Sequence, residues 1–240
     1  MLPINKSLPF FYSEALQEGE ENVTLNEETS RHIVQVLRMT NGGQLQLTNG
    51  RGNHFTAEIT DNNKRKCIVR VTGSGFDPAQ ENKIIIGISL IKNAHRFEWF
   101  LEKAAEIGVT KIVPLICERT EKQHFRMDRM RGILISAMLQ SQQPWLPLLQ
   151  EPTKFIHFLK ESAGANKFIA HCEEESKERL AAGVTRSPGS SVILIGPEGD
   201  FTPGEIEEAR QHDFKAVALG DTRLRTETAG VVAATLLKLL

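Results

Sequence analysis

A chain of 240 residues holds one large domain or two modest ones, and its 40% apolar and 25% charged content belongs to a folded globular protein, not a disordered one. The net charge of −1 excludes a globally basic nucleic-acid binder, so an RNA partner would have to be met by a local patch. No apolar run approaches the roughly 20 residues of a membrane helix, and Cys67, Cys117 and Cys172 stand far apart without a CxxC pair, which argues against a metal site.

Residues 1–75 read as mostly β. The opening MLPINKSLPFFY lacks the basic-then-apolar order of a secretory signal, and with the unpaired cysteines this predicts a cytoplasmic protein. Phe10, Phe11 and Tyr12 suit a core anchor better than a base-stacking platform. A helix is expected over 29–40, with Ile33, Val36 and Leu37 on one side. Short alternating strands are expected over 44–48, 54–60 and 66–72, with Asn49-Gly50 and Asp61-Asn62-Asn63 as turns. Short strands with tight turns imply a small barrel. Its acids and bases balance, yet Lys6, Arg31, Arg38 and Arg51 can gather into a basic face. Gly, Ser and Pro over 73–78 mark a linker, which predicts domains over 1–75 and 78–240.

From Lys83 the pattern alternates. Strands are expected over 84–91, 111–116 and 167–171, and helices over 96–107, 128–142, 154–161 and 175–182. Phe97, Phe100, Leu101, Ala104 and Ala105 form the inward face of the first of these helices, and Gly108 ends it. Strands separated by helices imply an α/β fold with a mostly parallel sheet. Lys92 and Arg96 follow the end of the first strand, where ligands of such sheets bind. Arg126 belongs to a basic run over 119–131 that can touch phosphates.

The densest signal is residues 192–229. Two apolar runs, 192–195 and 216–219, each empty into Gly and charge: GPEGDF from Gly196, and GDTRLRTE from Gly220. Short β-branched runs that stop at Gly look like buried parallel strands, and their carboxyl ends are where a ligand sits. Gly196 and Gly199 let bare backbone approach that ligand. Thr202, Pro203 and Glu205 then open a helix with a capping box.

GPEGDF (196–201) and LGDTRLRTETA (219–229) together resemble the C-terminal signature of the RsmE family, 16S rRNA uridine-N3 methyltransferases of the SPOUT superfamily. His32 with Val36-Leu37-Arg38, the helix end Glu102 to Val109, Ile112-Val113-Pro114 and Gln140-Ser141 agree with it, so the resemblance covers nearly the whole chain. It implies a SPOUT-type mostly parallel α/β sheet with a C-terminal trefoil knot, plus a small N-terminal PUA-like β-barrel that holds RNA. It further implies S-adenosyl-L-methionine as cofactor, a homodimer, and 16S rRNA of the small ribosomal subunit as partner. The cofactor residues it implies are Leu194, Ile195, Gly196, Pro197, Glu198, Gly199, Leu219, Gly220, Leu224, Thr226 and Ala229. RNA is expected at Lys6, Arg31, Arg38, Lys92, Arg96 and Arg126. Arg225 is the residue expected to stabilise a developing uracil anion, and Glu227 either accepts the N3 proton or caps the last helix. Glu198 can face the cofactor's sulfonium. The sequence departs from the family at Asp200, where GPEGG is usual, at Thr222, which shifts one arginine, and at Met138 and Gln142 beside the Gln-Ser pair. A relative acting on tRNA and a non-catalytic RNA-binding module are the alternatives.

Overall fold

The computed structural model describes residues 4–5, 7–121, 124–162, 166–173, 177–183 and 189–239. Its contacts divide it into two units, Met1–Ala79 with Met138–Leu146, and Gln80–Ala137 with Pro147–Leu240. Lys6, Glu174 and Glu175 lie outside the described residues.

The first unit contains β1 (Phe10–Tyr12), β2 (Asn22–Thr24), α1 (Glu27–Arg31), β3 (Gln44–Thr48), β4 (Asn53–Asp61) and β5 (Ile68–Phe76). The strands run in the order β1-β3-β4-β5-β2. β1 lies parallel to β3, and the remaining pairs are antiparallel. Period-two alternation sends Leu45, Leu47, Phe55, Ala57 and Ile59 to one face, where they close a core with Phe11, Leu16 and Ile33. Phe11 is therefore a core anchor, as its sequence context suggested.

The helix expected over 29–40 takes a different form. Asn26 caps α1 by accepting the Thr29 N–H, but at His32 the chain widens into a π turn, His32–Val36. A π turn holds more residues per turn than an α-helix. Val36 and Leu37 therefore rotate away from the face of Ile33: Ile33 is buried, while Val36 is 66% and Leu37 41% exposed. Arg38 then adopts φ 54° and the Met39 N–H closes on the Ile33 carbonyl at 3.0 Å.

The expected linker is also different. Gly73, Ser74 and Gly75 continue β5, paired with Thr56, Phe55 and His54 beyond a register shift. β4 is long enough to offer them partners, and small residues adapt to the bulge. Residues 138–146 complete this unit. The Trp145 indole donates to the Asp77 carbonyl at 2.9 Å, and its ring meets Phe76 edge-on. Gly52 makes this approach feasible: a Cβ there would come within 2.6 Å of the Trp145 ring, and its φ of 89° suits glycine.

The second unit runs β6 (Lys83–Ser89), α2 (Ala94–Ile107), β7 (Lys111–Ile116), α3 (Met127–Gln140), β8 (Leu148–Leu149), β9 (Thr153–Lys154), α4 (Phe155–Glu161), β10 (Asn166–Ala170), β11 (Glu178–Arg179), α5 (Leu180–Gly183), β12 (Ser190–Ile195), α6 (Pro203–Gln211), β13 (Lys215–Ala218) and α7 (Thr226–Leu239). All its strand pairs are parallel, in the order β11-β13-β10-β12-β6-β7-β8, with β9 also pairing with β7. Helices cover both faces, as parallel sheets require. On one face Phe155, Phe158, Ile206 and Ala209 of α4 and α6 pack on Val113, Val192, Leu194 and Ile169. On the other, Gly230 of α7 lets the helix come down on Phe100 of α2 and Ile88 of β6, where a Cβ would sit within 3 Å of both. In place of a helix over 175–182 the described residues form the short β11, hydrogen-bonded to β13, and the single turn α5. No helix among the described residues is long and apolar enough to cross a membrane.

Candidate active site

β10 lies between β12 and β13, with Ala170 in register with both Ile195 and Val217. Three adjacent strands thus end at one level, and a cavity of about 560 Å³ opens above them. That volume falls within the range of small-molecule sites. Ala170, His171 and Cys172 from β10, Ile195 to Glu198 from β12, and Val217 to Thr226 from β13 form its wall, with Arg96 and Ala229 contributed by α2 and α7.

The GPEGDF loop is tied to the ends of three different strands. The Glu198 carboxylate accepts the Lys92 N–H at 3.2 Å, beyond β6. Arg119, beyond β7, donates to the Gly199 carbonyl at 2.7 Å. Asp200 accepts the Cys172 N–H, beyond β10, at 2.7 Å, and the Phe201 N–H at 2.9 Å. Asp200 holds φ 64°, a left-handed conformation that aspartate tolerates better than most residues. The loop runs into α6 through the expected capping box, in which Thr202 and Glu205 satisfy each other's backbone N–H groups. Glu205 also accepts the Glu118 N–H at 2.8 Å. The second loop is pinned by Arg179, which grips both oxygens of Asp221 at 3.0 and 3.1 Å, and by the Thr226 hydroxyl, which donates to the Gly196 carbonyl at 3.0 Å.

Charge is unevenly satisfied around the cavity. Glu227, in the first turn of α7, is buried with one oxygen 3.7 Å from the Arg96 guanidinium. Its other oxygen is buried without a hydrogen-bond partner among the described residues. Arg225 lines the cavity, and its guanidinium has no hydrogen bond or ion pair among the described residues. Burial and the Asp200 carboxylate push the Cys172 thiol above its ordinary pKa, against the opposing pull of Arg223 and Lys177. No group of His, Cys, Asp and Glu among the described residues has the arrangement of a metal site.

Residues 78–238 match the model of an RNA methyltransferase domain, and residues 25–72 that of an RNA methyltransferase PUA domain. The chain belongs to the RNA methyltransferase family. A "probable rRNA-methyltransferase" from Porphyromonas gingivalis is similar to this methyltransferase at 35% identity and TM-score 0.88, each chain covered over 95% of its length. A ribosomal RNA small subunit methyltransferase E from Neisseria gonorrhoeae, solved bound to S-adenosyl methionine, is similar at 27% identity and TM-score 0.84, covering 95% of this chain and 96% of that one. The protein of the same name from Rickettsia conorii is 26% identical over 96% of this chain and 94% of its own. The fold is accordingly the SPOUT type, a parallel α/β sheet with an N-terminal PUA-like domain.

The methyltransferase domain brings most of the sequence-nominated residues together. Ile195, Gly196, Pro197, Glu198, Leu219, Gly220, Leu224, Thr226 and Ala229 line the cavity, as does Arg225. Leu194 and Gly199 do not. Leu194 is fully buried in the sheet core, because its side chain alternates away from the strand end. Gly199 turns toward Arg119, where a Cβ would make ordinary contacts at 3.4 and 3.6 Å. Gly196 is the demanding position: a Cβ there would press on the Phe201 ring at 3.1 Å. Glu227 is buried and does not line the cavity. Arg96, expected at RNA, lines the cavity, whereas Lys92 pairs with Glu121 at 2.7 Å. Arg126 and Arg38 are exposed, and Arg31 is exposed and pairs with Glu27. The sequence reading placed a strand over 167–171 but nominated neither His171 nor Cys172 at its end. Its signal was the short apolar run before His171, which carries no glycine to mark it.

Proposed function

We propose that this chain methylates N3 of a uridine in 16S rRNA of the small ribosomal subunit, using S-adenosyl-L-methionine. The observation that carries the reading is the cavity above β10, β12 and β13, with the Arg225 guanidinium, unengaged among the described residues, in its wall. The relatives named for small-subunit rRNA, and the neighbour bound to S-adenosyl methionine, support the substrate class and the cofactor.

The residues fit that cofactor. Backbone at three strand ends offers donors and acceptors to a purine edge, and Ile195, Leu219, Leu224 and Ala229 give apolar walls. Among the described residues nothing lies within 4 Å of the position a Gly220 Cβ would take, so its bare backbone is open to a ligand. The bound cofactor would supply an electrophilic methyl group on sulfur. The protein's own task is position and charge. Uracil N3 must lose its proton to solvent water before or during attack, and the resulting charge spreads onto the ring carbonyls. Arg225, in the cavity wall, holds it with a planar, two-pronged donor. Asp221 is gripped by Arg179 and Glu227 faces Arg96, so neither neighbouring carboxylate claims Arg225. Glu227 acts here by holding Arg96 and by its place at the positive end of α7, in preference to taking the proton.

The first unit contributes RNA affinity, and the molecule works in the cytoplasm as a homodimer with a knotted C-terminal segment. Mass spectrometry of 16S rRNA from a strain lacking the gene should show one 3-methyluridine missing, restored by the wild-type chain and not by Arg225→Ala. A full complement of 3-methyluridine in the deletion strain, or a lost mark on tRNA instead, would overturn the reading. Light scattering should report a dimer at micromolar concentration.

A further inference from the structure

The first unit breaks local rules at three consecutive residues. Val36 and Leu37 are set in water, 66% and 41% exposed, although the same helix turn buries Ile33. Arg38 follows in a left-handed conformation, φ 54°, that glycine would adopt at no steric cost. Such concentrations of local conflict are where folds give way to function, and π turns recur at such places.

The neighbouring feature is the turn between β4 and β5. The Asn62 N–H donates to the Asn41 side chain at 2.9 Å, and the Cys67 N–H to the Ser30 hydroxyl at 2.9 Å. These two bonds hold residues 62–67 against α1 and the segment that follows it. Asp61 and Asn63 brace the turn internally, accepting the N–H groups of Asn63 and Arg65 at 3.1 and 2.9 Å. Lys64, Arg65 and Lys66 project from it, exposed. Their side chains, like that of Arg38, have no hydrogen bond or ion pair among the described residues. Arg31, by contrast, is spent on Glu27.

We propose that the π turn and the β4–β5 turn form one RNA-docking surface, on which Lys64, Arg65 and Lys66 hold phosphates while Val36, Leu37 and Arg38 contact an unpaired base. This rests on the reading of the substrate as rRNA and names the face that meets it. The charge excess selects a polyanion, and in a chain of net charge −1 such an excess is local. The aliphatic pair selects an unstacked base, because an A-form duplex offers phosphates and hydroxyls but no free base face. A guanidinium plane beside that pair can stack on the same base.

The test uses the full-length chain with three probes: a fluorescein-labelled mixed-sequence single-stranded RNA, its duplex, and assembled small ribosomal subunits. Replacing Lys64, Arg65 and Lys66 by Ala should weaken single-strand binding about ten-fold and flatten its log–log salt slope by about 2, the counterion release of three phosphates. Val36→Ser with Leu37→Ser should weaken binding to the single strand without changing the slope, and leave the duplex unaffected. Arg38→Gly should weaken binding while its melting temperature does not fall, because glycine relieves the left-handed backbone. S-adenosylhomocysteine affinity, read in every variant, reports that the second unit is intact. Single-strand affinity and salt slope equal to wild type in all three variants would overturn the proposal. So would losses seen only with assembled subunits and insensitive to salt, which would assign the surface to a ribosomal protein. A wild type that binds RNA through these residues yet methylates no uridine would sink the functional reading and leave this surface standing.

Discussion

Arg225 is the residue on which the proposed chemistry turns, and lysine is the substitution that isolates it. Lysine keeps the charge but loses the planar fork. Arg225→Lys should leave S-adenosylmethionine affinity nearly unchanged and slow single-turnover methylation by roughly ten- to a thousand-fold, the usual scale for one oriented donor. Full speed at saturating cofactor and RNA would remove Arg225 from the mechanism. Asp200 is a second test, since its carboxylate joins the end of β10 to the GPEGDF loop. Asp200→Asn keeps the left-handed backbone but halves the acceptors, and Asp200→Gly removes both. Cofactor affinity should fall in that order, by about five- to thirty-fold for the glycine, as expected for charge-assisted hydrogen bonds. Calorimetry showing equal affinity in all three proteins would disconnect Asp200 from the cavity. Cys172 adds a pH readout. Its thiol is held above the usual range by burial and by Asp200, so alkylation by iodoacetamide at pH 7.5 should be slower than that of a free cysteine. Removing the neighbouring negative charge favours the thiolate, so Asp200→Asn should move the midpoint of the pH–rate curve down. At this scale the sequence was legible where glycine and charge crowd together, as in GPEGDF. It read Arg119 only as part of a basic run and was silent on Cys172 and Arg179; these reach the loops from 28 to 82 positions away and leave no local pattern of that role.

Among the elements, those with strong local punctuation came through. Gly108 ends α2 as expected, although the helix begins at Ala94 behind an Asn93 cap, two residues before the expected start, and Thr202, Pro203 and Glu205 open α6. Thr202→Ala should cost about 1 kcal/mol, the worth of an N-cap, measured by urea unfolding. The loss should exceed that of an average cap if the Glu118 contacts to Thr202 and Glu205 matter. α7 was legible as apolar, but not the need for glycine in it. Gly230→Ala would put a methyl group within 2.6 Å of the Phe100 ring, and should destabilise by about 1–3 kcal/mol through overpacking. An unchanged urea midpoint would mean that α2 and α7 can part without cost. The π turn was not legible, because Ile33, Val36 and Leu37 fit an α-helical face as well as any amphipathic run. Only the tertiary demand on Ile33 and the exit through Arg38 select the wider turn. The strand β5 was shortened in the reading because Gly73, Ser74 and Gly75 look like a linker, and only β4 supplies the partner that makes them strand.

At the scale of the molecule, sequence order and structural units part company. The alternation of strand and helix from Lys83 announced the parallel sheet. The assignment of residues 138–146 to the first unit had no signal, since the chain leaves that unit at Ala79 and re-enters it 59 positions later. A fragment from Pro78 onward therefore carries Pro144 and Trp145 without the Thr48, Gly52 and Asp77 that receive them. That fragment should melt lower than the full chain and show an exposed Trp145 by fluorescence quenching, and Trp145→Ser in the fragment should restore its solubility. A fragment as stable as the full chain, with Trp145 shielded, would contradict this. The same excursion sets a timetable. On the ribosome the first 79 residues emerge well before Trp145 does, and at about 5–20 residues per second the wait is roughly 3–13 s. During that interval the nascent amino-terminal unit stands without the Trp145 ring that packs on Gly52. The protein whose proposed substrate is ribosomal RNA thus completes its own first unit only after more than half of its length has been translated.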